Sequence, residues 1–415
     1  MRVYVPLVCL ALTHTLVDTS ALVIAPLWPR LEDLYGLGVT TLSLAFIVQS
    51  LPTSLSQAVF GFLRDRRPAP VWLWAGPALG IVCMCLLGQV DSLPALFLLL
   101  IVGGVGIGAF HPEAAVRVGS MLPGHRTRAL ALFMFGGSLG LALGPVLSGQ
   151  IVGRWGLPGL TYLMPCMLAA LLVLRWVGNM SCWNTAAGDP CVAQSPPQGK
   201  QRAAIGELLE GRTGFAMQLL LVCSLRLVPN MGMNKVLAFA LQRKGYDEAV
   251  IGQVQSLFLV AASVGMLVLA FRFPRGWERV FMIVCPLAGV PLLYGLSLQG
   301  NPMWLQLALL VPTGLVLWGT APAMVSYAQQ QFPRGAGVAS ALTMGVAWGV
   351  GGLIQAPLTS YFQAAGREPL HALRAFIPCL LLAAWGAWLL PEARADHGPD
   401  HESAAAADEH SSKTD

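Results

Sequence analysis

Charge is what this 415-residue chain has least of. Asp, Glu, Lys and Arg make up 11% of it, against 55% hydrophobic residues. A soluble domain carries about 25% charged residues, so this composition excludes a water-soluble protein of this size. The nine cysteines supply no disulfide framework. Cys9, Cys83, Cys85, Cys166, Cys223, Cys285 and Cys379 fall in hydrophobic runs and act there as small apolar residues. Cys182 and Cys191 fall in a polar stretch assigned to the cytoplasm, where thiols stay reduced. There is no C-x-x-C spacing, no phosphate-binding loop and no nucleophile–base constellation. No metal, no cofactor and no enzyme chemistry are therefore expected. The net charge of +5 is gathered at helix ends and does not point to nucleic acid. No A-x-A site follows the first apolar run, and His14 and Asp18 interrupt it. Residues 1–28 are thus expected to remain as a membrane helix and not to be cut off as a signal peptide.

What is present is apolar length. Runs of about 20 residues, enough to cross a bilayer, recur twelve times. They lie near 4–27, 40–62, 71–90, 94–117, 128–150, 159–178, 214–238, 249–271, 280–298, 303–327, 336–358 and 371–390. The pattern predicts an all-α membrane protein whose twelve transmembrane helices form two pseudo-symmetric six-helix bundles, 1–178 and 213–390. A polar cytoplasmic loop, 179–212, with Asp189-Pro190, Pro196-Pro197 and Lys200, joins them. The tail 391–415, rich in Ala, His, Asp, Glu and Ser, is expected to be disordered. His397, His401 and His410 there are too loosely spaced to argue for a metal site. Alternating the spans puts Arg64, Arg66, Arg67, Arg126, Arg128, Arg272, Arg275 and Arg279 on one side. Only Arg30, Arg154, Arg243, Lys244 and Arg367 fall on the other. Positive residues stay inside, so both termini are expected in the cytoplasm.

The halves repeat weakly. Pro112 is followed by Pro123-Gly124 and Pro322 by Pro333-Arg334-Gly335, at one spacing, and the next helices end in Gly144-Pro145 and Ala356-Pro357. Duplicated six-helix halves around a midplane site are a transporter plan.

Gly61-Phe62-Leu63-Arg64-Asp65-Arg66-Arg67 falls in the loop after the second span. Here the chain resembles the major facilitator superfamily, whose loop motif reads G-x-L-x-D-R-x-G-R-R. The match holds at Gly61, Leu63, Asp65 and Arg66 and breaks at Pro68-Ala69-Pro70. The resemblance implies that Asp65 and Arg66 belong to a charge network latching the halves at the cytoplasmic face; the alternative is that the arginines only set topology. Gly136, Gly140 and Gly144-Pro145 lie on one side of the fifth span and resemble the family's antiporter motif in part, or serve plain helix packing. Ala109-Phe110-His111-Pro112-Glu113, the P-x-P loop and Ser326-Tyr327-Ala328-Gln329 narrow the resemblance to the fosmidomycin-resistance branch. That resemblance implies a proton-driven drug exporter of the inner membrane.

The ionisable residues inside the spans carry the functional reading. Each costs roughly 2.5–3.5 kcal/mol near a bilayer centre, so it is rare without a pathway to serve. His14 and Asp18 share one helix face, as do Glu113 and Arg117. Pro112 favours a kink beside His111. His14, Asp18, His111, Glu113 and Arg117 are candidates for a proton path; His14 is otherwise an interhelical hydrogen-bonding residue, and Glu113–Arg117 otherwise a structural ion pair. Arg226, Asn230 and Asn234 form a stripe expected to face the other half, with Arg226 suited to an anion. Gln49, Thr53 and Gln57 form a second stripe, and Trp318, Tyr327 and Trp348 either line a substrate site or pack. The expected function is proton-coupled export of a small amphipathic or anionic compound by alternating access. The partners are substrate, protons and the lipid bilayer, and the working unit is a monomer. The alternative is an importer or symporter of a sugar, organic acid or other metabolite. A membrane enzyme or non-transporting receptor finds no supporting residues.

Overall fold

In hydrocarbon each backbone N–H and C=O must be satisfied within the protein, and a helix does this segment by segment. A computed structural model describes residues 4–66, 69–121, 126–179, 209–272, 276–332, 338–339, 341–364 and 367–392. Among these residues there are helices and no strand. Twelve helical spans are long and apolar enough to cross a membrane. We number them α1 (Tyr4–Leu22), α2 (Val39–Arg66), α3 (Trp72–Cys85), α4 (Leu93–Met121), α5 (Arg126–Trp155), α6 (Leu163–Asn179), α7 (Thr213–Arg243), α8 (Glu248–Arg272), α9 (Glu278–Leu296), α10 (Met303–Gln331), α11 (Ala347–Ala364) and α12 (His371–Trp388). Most of 179–212 and nearly all of 391–415 lie outside the described residues, as do the side chains of Asp65 and Arg66 and the whole of Cys182, Cys191, His397, His401 and His410.

Span ends differ from the apolar runs for local reasons. The first run was expected to be one helix to residue 27, yet α1 stops at Leu22. A 3-10 turn, Ala25–Leu27, and a short helix, Trp28–Tyr35, follow it. Pro26 and Pro29 lack the N–H that a continuous ladder needs. Gly36, at φ 58°, ends the short helix in the left-handed region that glycine adopts freely. In contrast α4 runs through Pro112 unbroken. α11 is entered through a π-helical turn, Ala341–Val346.

The packing repeats between halves. α1 packs on α5 as α7 does on α11, and α2 packs on α4 as α8 does on α10. The seam between halves is made by α5 with α8 and by α2 with α11. Large apolar side chains such as Leu98, Leu172, Val173, Trp176, Trp304 and Trp385 stand on the outer surface, as expected where lipid is the solvent.

Helix α5 is gripped on two faces. A Cβ added at Gly136, Gly140 or Gly144 would lie 2.3, 2.3 or 2.6 Å from the carbonyl oxygens of Ala11, Thr15 or Thr19 on α1. On its other side, a Cβ at Gly149 would be 2.2 Å from the Glu248 carbonyl, and one at Gly252 of α8 would be 2.1 Å from the Pro145 carbonyl. Glycine here is what lets backbones touch.

We call the membrane face reached by the end of α1 the Arg30 end, and the opposite face the Arg64 end. Five hydrogen bonds cross between halves at or near the Arg30 end. Arg30 Nη1 donates to Glu248 Oε1 at 3.0 Å, Gln242 to Asp33 at 2.8 Å and Gln363 to Glu32 at 2.8 Å. Gln255 donates to the Ala25 carbonyl at 3.1 Å and Ser256 to the Ala142 carbonyl at 2.7 Å. The α2–α11 seam loosens in the other direction. A Cβ at Gly352, Gly349 or Gly345 would meet its nearest atom, in Ser50, Ser54 or Gln57, at 2.6, 3.2 or 3.8 Å.

Two glycines separate bundle packing from closure. Gly140→Val should lower the melting temperature of the purified protein through an overpacking cost of about 1–3 kcal/mol. Gly252→Val should instead loosen the Arg30 end. In a Cys166→Ser background, the yield of a bismaleimide cross-link between Arg30→Cys and Glu248→Cys should fall with Gly252→Val and hold with Gly140→Val.

Candidate functional site

The glycine face of α5 brings α1 close enough for its two ionisable residues to meet α4. His14 and Asp18 lie one turn apart on α1, and His14 Nε2 is 3.3 Å from Asp18 Oδ2. From α4, His111 Nε2 reaches the other carboxylate oxygen, Oδ1, at 3.4 Å. One carboxylate thus stands between two imidazoles. Gly137 closes the back of this clasp, since a Cβ there would lie 2.5 Å from His14 Nε2 and 2.7 Å from Asp18 Oδ2. Phe133 stacks on His14 with ring centroids 4.1 Å apart. The His111 side chain is 21% exposed and that of His14 7%, so the clasp is more open on the α4 side.

The far ring nitrogens count the protons. His14 Nδ1 lies 2.8 Å from the Phe133 carbonyl oxygen, and His111 Nδ1 lies 2.8 Å from that of Ile107. A carbonyl only accepts, so each Nδ1 carries the hydrogen. Each neutral ring then presents a bare Nε2 to a carboxylate oxygen, lone pair against lone pair. The contacts become favourable only when each Nε2···O pair holds one proton. Both rings protonated against an ionised Asp18 gives this arrangement; so does one protonated ring with a protonated Asp18. Removing one proton breaks one of the two contacts. One ring nitrogen of each histidine and a carboxylate oxygen of Asp18 lie within 4.8 Å of one another, a spacing compatible with a cation as well as with shared protons.

Glu113, two residues on from His111, belongs to a separate cluster. Its carboxylate is buried between Arg117 Nε at 3.1 Å and Arg64 Nε at 3.5 Å. The ion pair expected within α4 is present, and Arg64 of the loop motif joins it from α2, a link the sequence did not disclose. Gly61 packs beside Pro112, where an added Cβ would be 3.7 Å from the proline Cβ.

On α7 the stripe splits. Arg226 was expected to face the other half, but its Nη1 donates to the Leu317 carbonyl at 2.9 Å and to Thr320 Oγ1 at 2.5 Å, both on α10 of its own half. Asn230 follows it to Leu317 at 3.2 Å. An α10 carbonyl and hydroxyl hold its Nη1 and draw it inward, while its buried Nε has no hydrogen-bond partner. Asn234 takes a different neighbour: its backbone carbonyl accepts from Gln255 of α8 at 2.7 Å. The α2 stripe divides as well, with Thr53 close to Gly104 of α4 and Gln57 beside Gly345. Trp318 and Trp348 pack with ring centroids 5.6 Å apart, and Tyr327 turns to the chain end, its hydroxyl donating to the Pro391 carbonyl at 2.7 Å.

One residue escaped the sequence reading. Lys235 is buried in α7, and its Nζ lies 4.9 Å from the centre of the Phe46 ring on α2. The signal was available, since a lysine inside an apolar span is as costly as an aspartate.

The sequence profile of the Major Facilitator Superfamily matches residues 10–356. The fosmidomycin resistance protein of Escherichia coli K12 is 27% identical over 379 residues, covering 89% of each chain. An uncharacterized MFS-type transporter of Bacillus subtilis 168, YfnC, is 27% identical over 408 residues, covering 94% of this chain and 93% of the relative. Among solved structures, a bacterial homologue of the human lysosomal transporter spinster superposes with a TM-score of 0.72 at 14% identity, covering 94% of this chain and 96% of that one. That last likeness is one of fold.

The Glu113 cluster makes a stability prediction. Glu113→Gln leaves two arginine side chains facing a neutral amide in a buried site, and breaking such a network costs on the order of 3 kcal/mol. The melting temperature in detergent should drop by several degrees. An unchanged melting curve would mean the two arginines find other partners at no cost.

Proposed function

This chain belongs to the Major Facilitator Superfamily and carries a small-molecule substrate across a membrane, and from that premise we propose that it is a proton-coupled exporter of a small amphipathic or anionic compound. The observation that carries the reading is the Asp18 carboxylate held between His14 and His111. These three groups join α1 to α4, and the glycine face of α5 braces them. Loss of the proton from the His111–Asp18 contact releases α4 from α1; its return restores the tie. Because α5 also forms the seam with α8, a shift in this clasp reaches the contact between halves directly. That is how a proton can be exchanged for a change of access, the requirement of alternating access.

Basic-residue placement supports an inner (plasma) membrane orientation with both termini cytoplasmic. The Arg30 end is then outside. Its five cross-half bonds, and the seam that loosens toward Gln57, fit a state closed outside and open to the cytoplasm, ready to take cargo from inside. Export is favoured over import by the relative that bears the name of a resistance protein. The clasp and both seams are complete within one chain, which supports a monomer as the working unit. Asp65 and Arg66 we retain as a cytoplasmic latch that re-forms when the Arg64 end closes, and Arg117 and Glu113 as part of the same network through Arg64.

Two variants test this reading in proteoliposomes. Asp18→Asn replaces the carboxylate with an amide that accepts from one ring and donates to the other without titrating. Substrate binding and substrate–substrate exchange should persist, while uptake driven by an imposed pH gradient should fall to its rate without a gradient. Gradient-driven transport at the wild-type rate in this variant would remove Asp18 from proton coupling. Asp65→Ala should slow exchange and gradient-driven transport alike and leave binding unchanged.

A further inference from the structure

The described interior of the second half has an unbalanced charge. α7 carries two buried cations, Arg226 and Lys235, and no described carboxylate pairs with either. Glu278, the buried acid of that half, lies at the start of α9, where it accepts from Ser326 at 3.3 Å and Gln330 at 3.1 Å. Although its buried Nε has no partner, Arg226 is at least hydrogen-bonded through Nη1 to the α10 carbonyl and hydroxyl. Lys235 is not. Among the described residues its ammonium meets the face of Phe46, which belongs to the other half. A desolvated ammonium without a counter-charge is costly, and a ring face offsets only a small part of that cost.

The surroundings are those of a binding site. Lys235 lies about 12 Å along α7 from its Arg30-end terminus, and Phe46 about 10 Å along α2 from its own. Both therefore sit just beneath the closed end, where the two halves meet. Trp28 packs edge-on against Phe46 at 4.9 Å, is fully buried, and its indole Nε1 has no hydrogen-bond partner. Phe239, one turn beyond Lys235, stands 6.4 Å from Phe46. The side-chain oxygens of Asn234 and of Gln49 on α2 are buried without partners too. Here are a cation, an orphan N–H donor and aromatic faces, contributed by both halves.

We propose that Lys235 is the counter-ion of a ligand site between the halves, and that the ligand is a small organic anion carrying a carboxylate or phosphate group beside an apolar or aromatic portion. This deepens the transport reading above and rests on it. The anion takes the ammonium from the Phe46 face, Trp28 and Phe46 cover the apolar portion, and the ligand then touches both halves at the point where they meet. A four-carbon stem suits this role, because the ammonium can follow the anion as the halves tilt.

The test is a thermal-shift titration of the purified full chain in detergent. The probes are small aromatic carboxylates and phosphate monoesters, each beside its neutral amide or ester. Anions should raise the melting temperature of the wild type and the neutral partners should not. Lys235→Gln should bind the same anions about 10- to 100-fold more weakly, the loss expected for one charged hydrogen bond, and Lys235→Arg should retain most of the response. Lys235→Met removes the uncompensated cation, so without ligand it should melt no lower than the wild type and should show no anion response. Anion shifts that survive in Lys235→Gln or Lys235→Met, or a wild type indifferent to every anion in the set, would overturn the proposal. Anions that bind through Lys235 but are never moved by a pH gradient would sink the export reading and leave the anion site standing.

Discussion

The contact between α1 and α5 is the constraint on which the rest depends. Three glycines at four-residue intervals let the α5 backbone lie against the carbonyls of Ala11, Thr15 and Thr19. Thr15 Oγ1 adds a hydrogen bond to the Gly136 carbonyl at 2.8 Å. In a bilayer there is little hydrophobic force between helices, so close backbone approach and interhelical hydrogen bonds carry the association. That approach presses Gly137 against His14 and Asp18 and aims their polar edges at His111. A side chain larger than hydrogen at Gly137 would occupy the place of the carboxylate. The proposed proton chemistry is therefore an outcome of helix packing, and the same helix would carry its consequences to α8.

The two halves share a packing plan but divide the charges. The first half holds the Asp18 carboxylate with two histidines, and, nearer the Arg64 end, Glu113 with two arginines. Among the described residues, the second half has cations on α7 with no carboxylate against them. A repeat detectable in sequence through its prolines and glycines thus supports different chemistry in its two copies. The proposed proton handling in one half and anion attraction in the other would be an economical arrangement for exchanging one for the other, because the seams α5–α8 and α2–α11 are shared by both.

Much of this was legible from residue order alone. Apolar length gave twelve spans, because a helix crossing hydrocarbon needs about 20 apolar residues whatever its neighbours. His14 and Asp18 stood out for being expensive where they are, and their four-residue spacing already put them on one face. What the spacing could not reveal was depth across helices. His111 belongs with Asp18, while Glu113, two residues further on, points to Arg64 and Arg117; a helix turns by about 200° over two residues, and only the fold decides which face meets which neighbour. Arg226 belongs to a sound stripe that reads as facing the other half, yet α10 offers it a carbonyl and a hydroxyl. Lys235 shares no stripe with it, and so was passed over although its burial cost is of the same kind. The break after Leu22 followed from Pro26 and Pro29, whose effect on a helix is local and was overlooked.

The most direct measurement of the central claim is nitrogen NMR of the purified protein with labelled histidine, with His14 and His111 assigned by single His→Gln variants. Nδ1 of both rings should stay protonated as pH is varied, Nε2 should be the site that gains and loses the proton, and the proton on one Nε2 should depend on that of the other through Asp18, the dependence vanishing in Asp18→Ala, which leaves no group between the rings. Rings that titrate independently in the wild type, or an Nδ1 that loses its hydrogen while Nε2 keeps one, would contradict it.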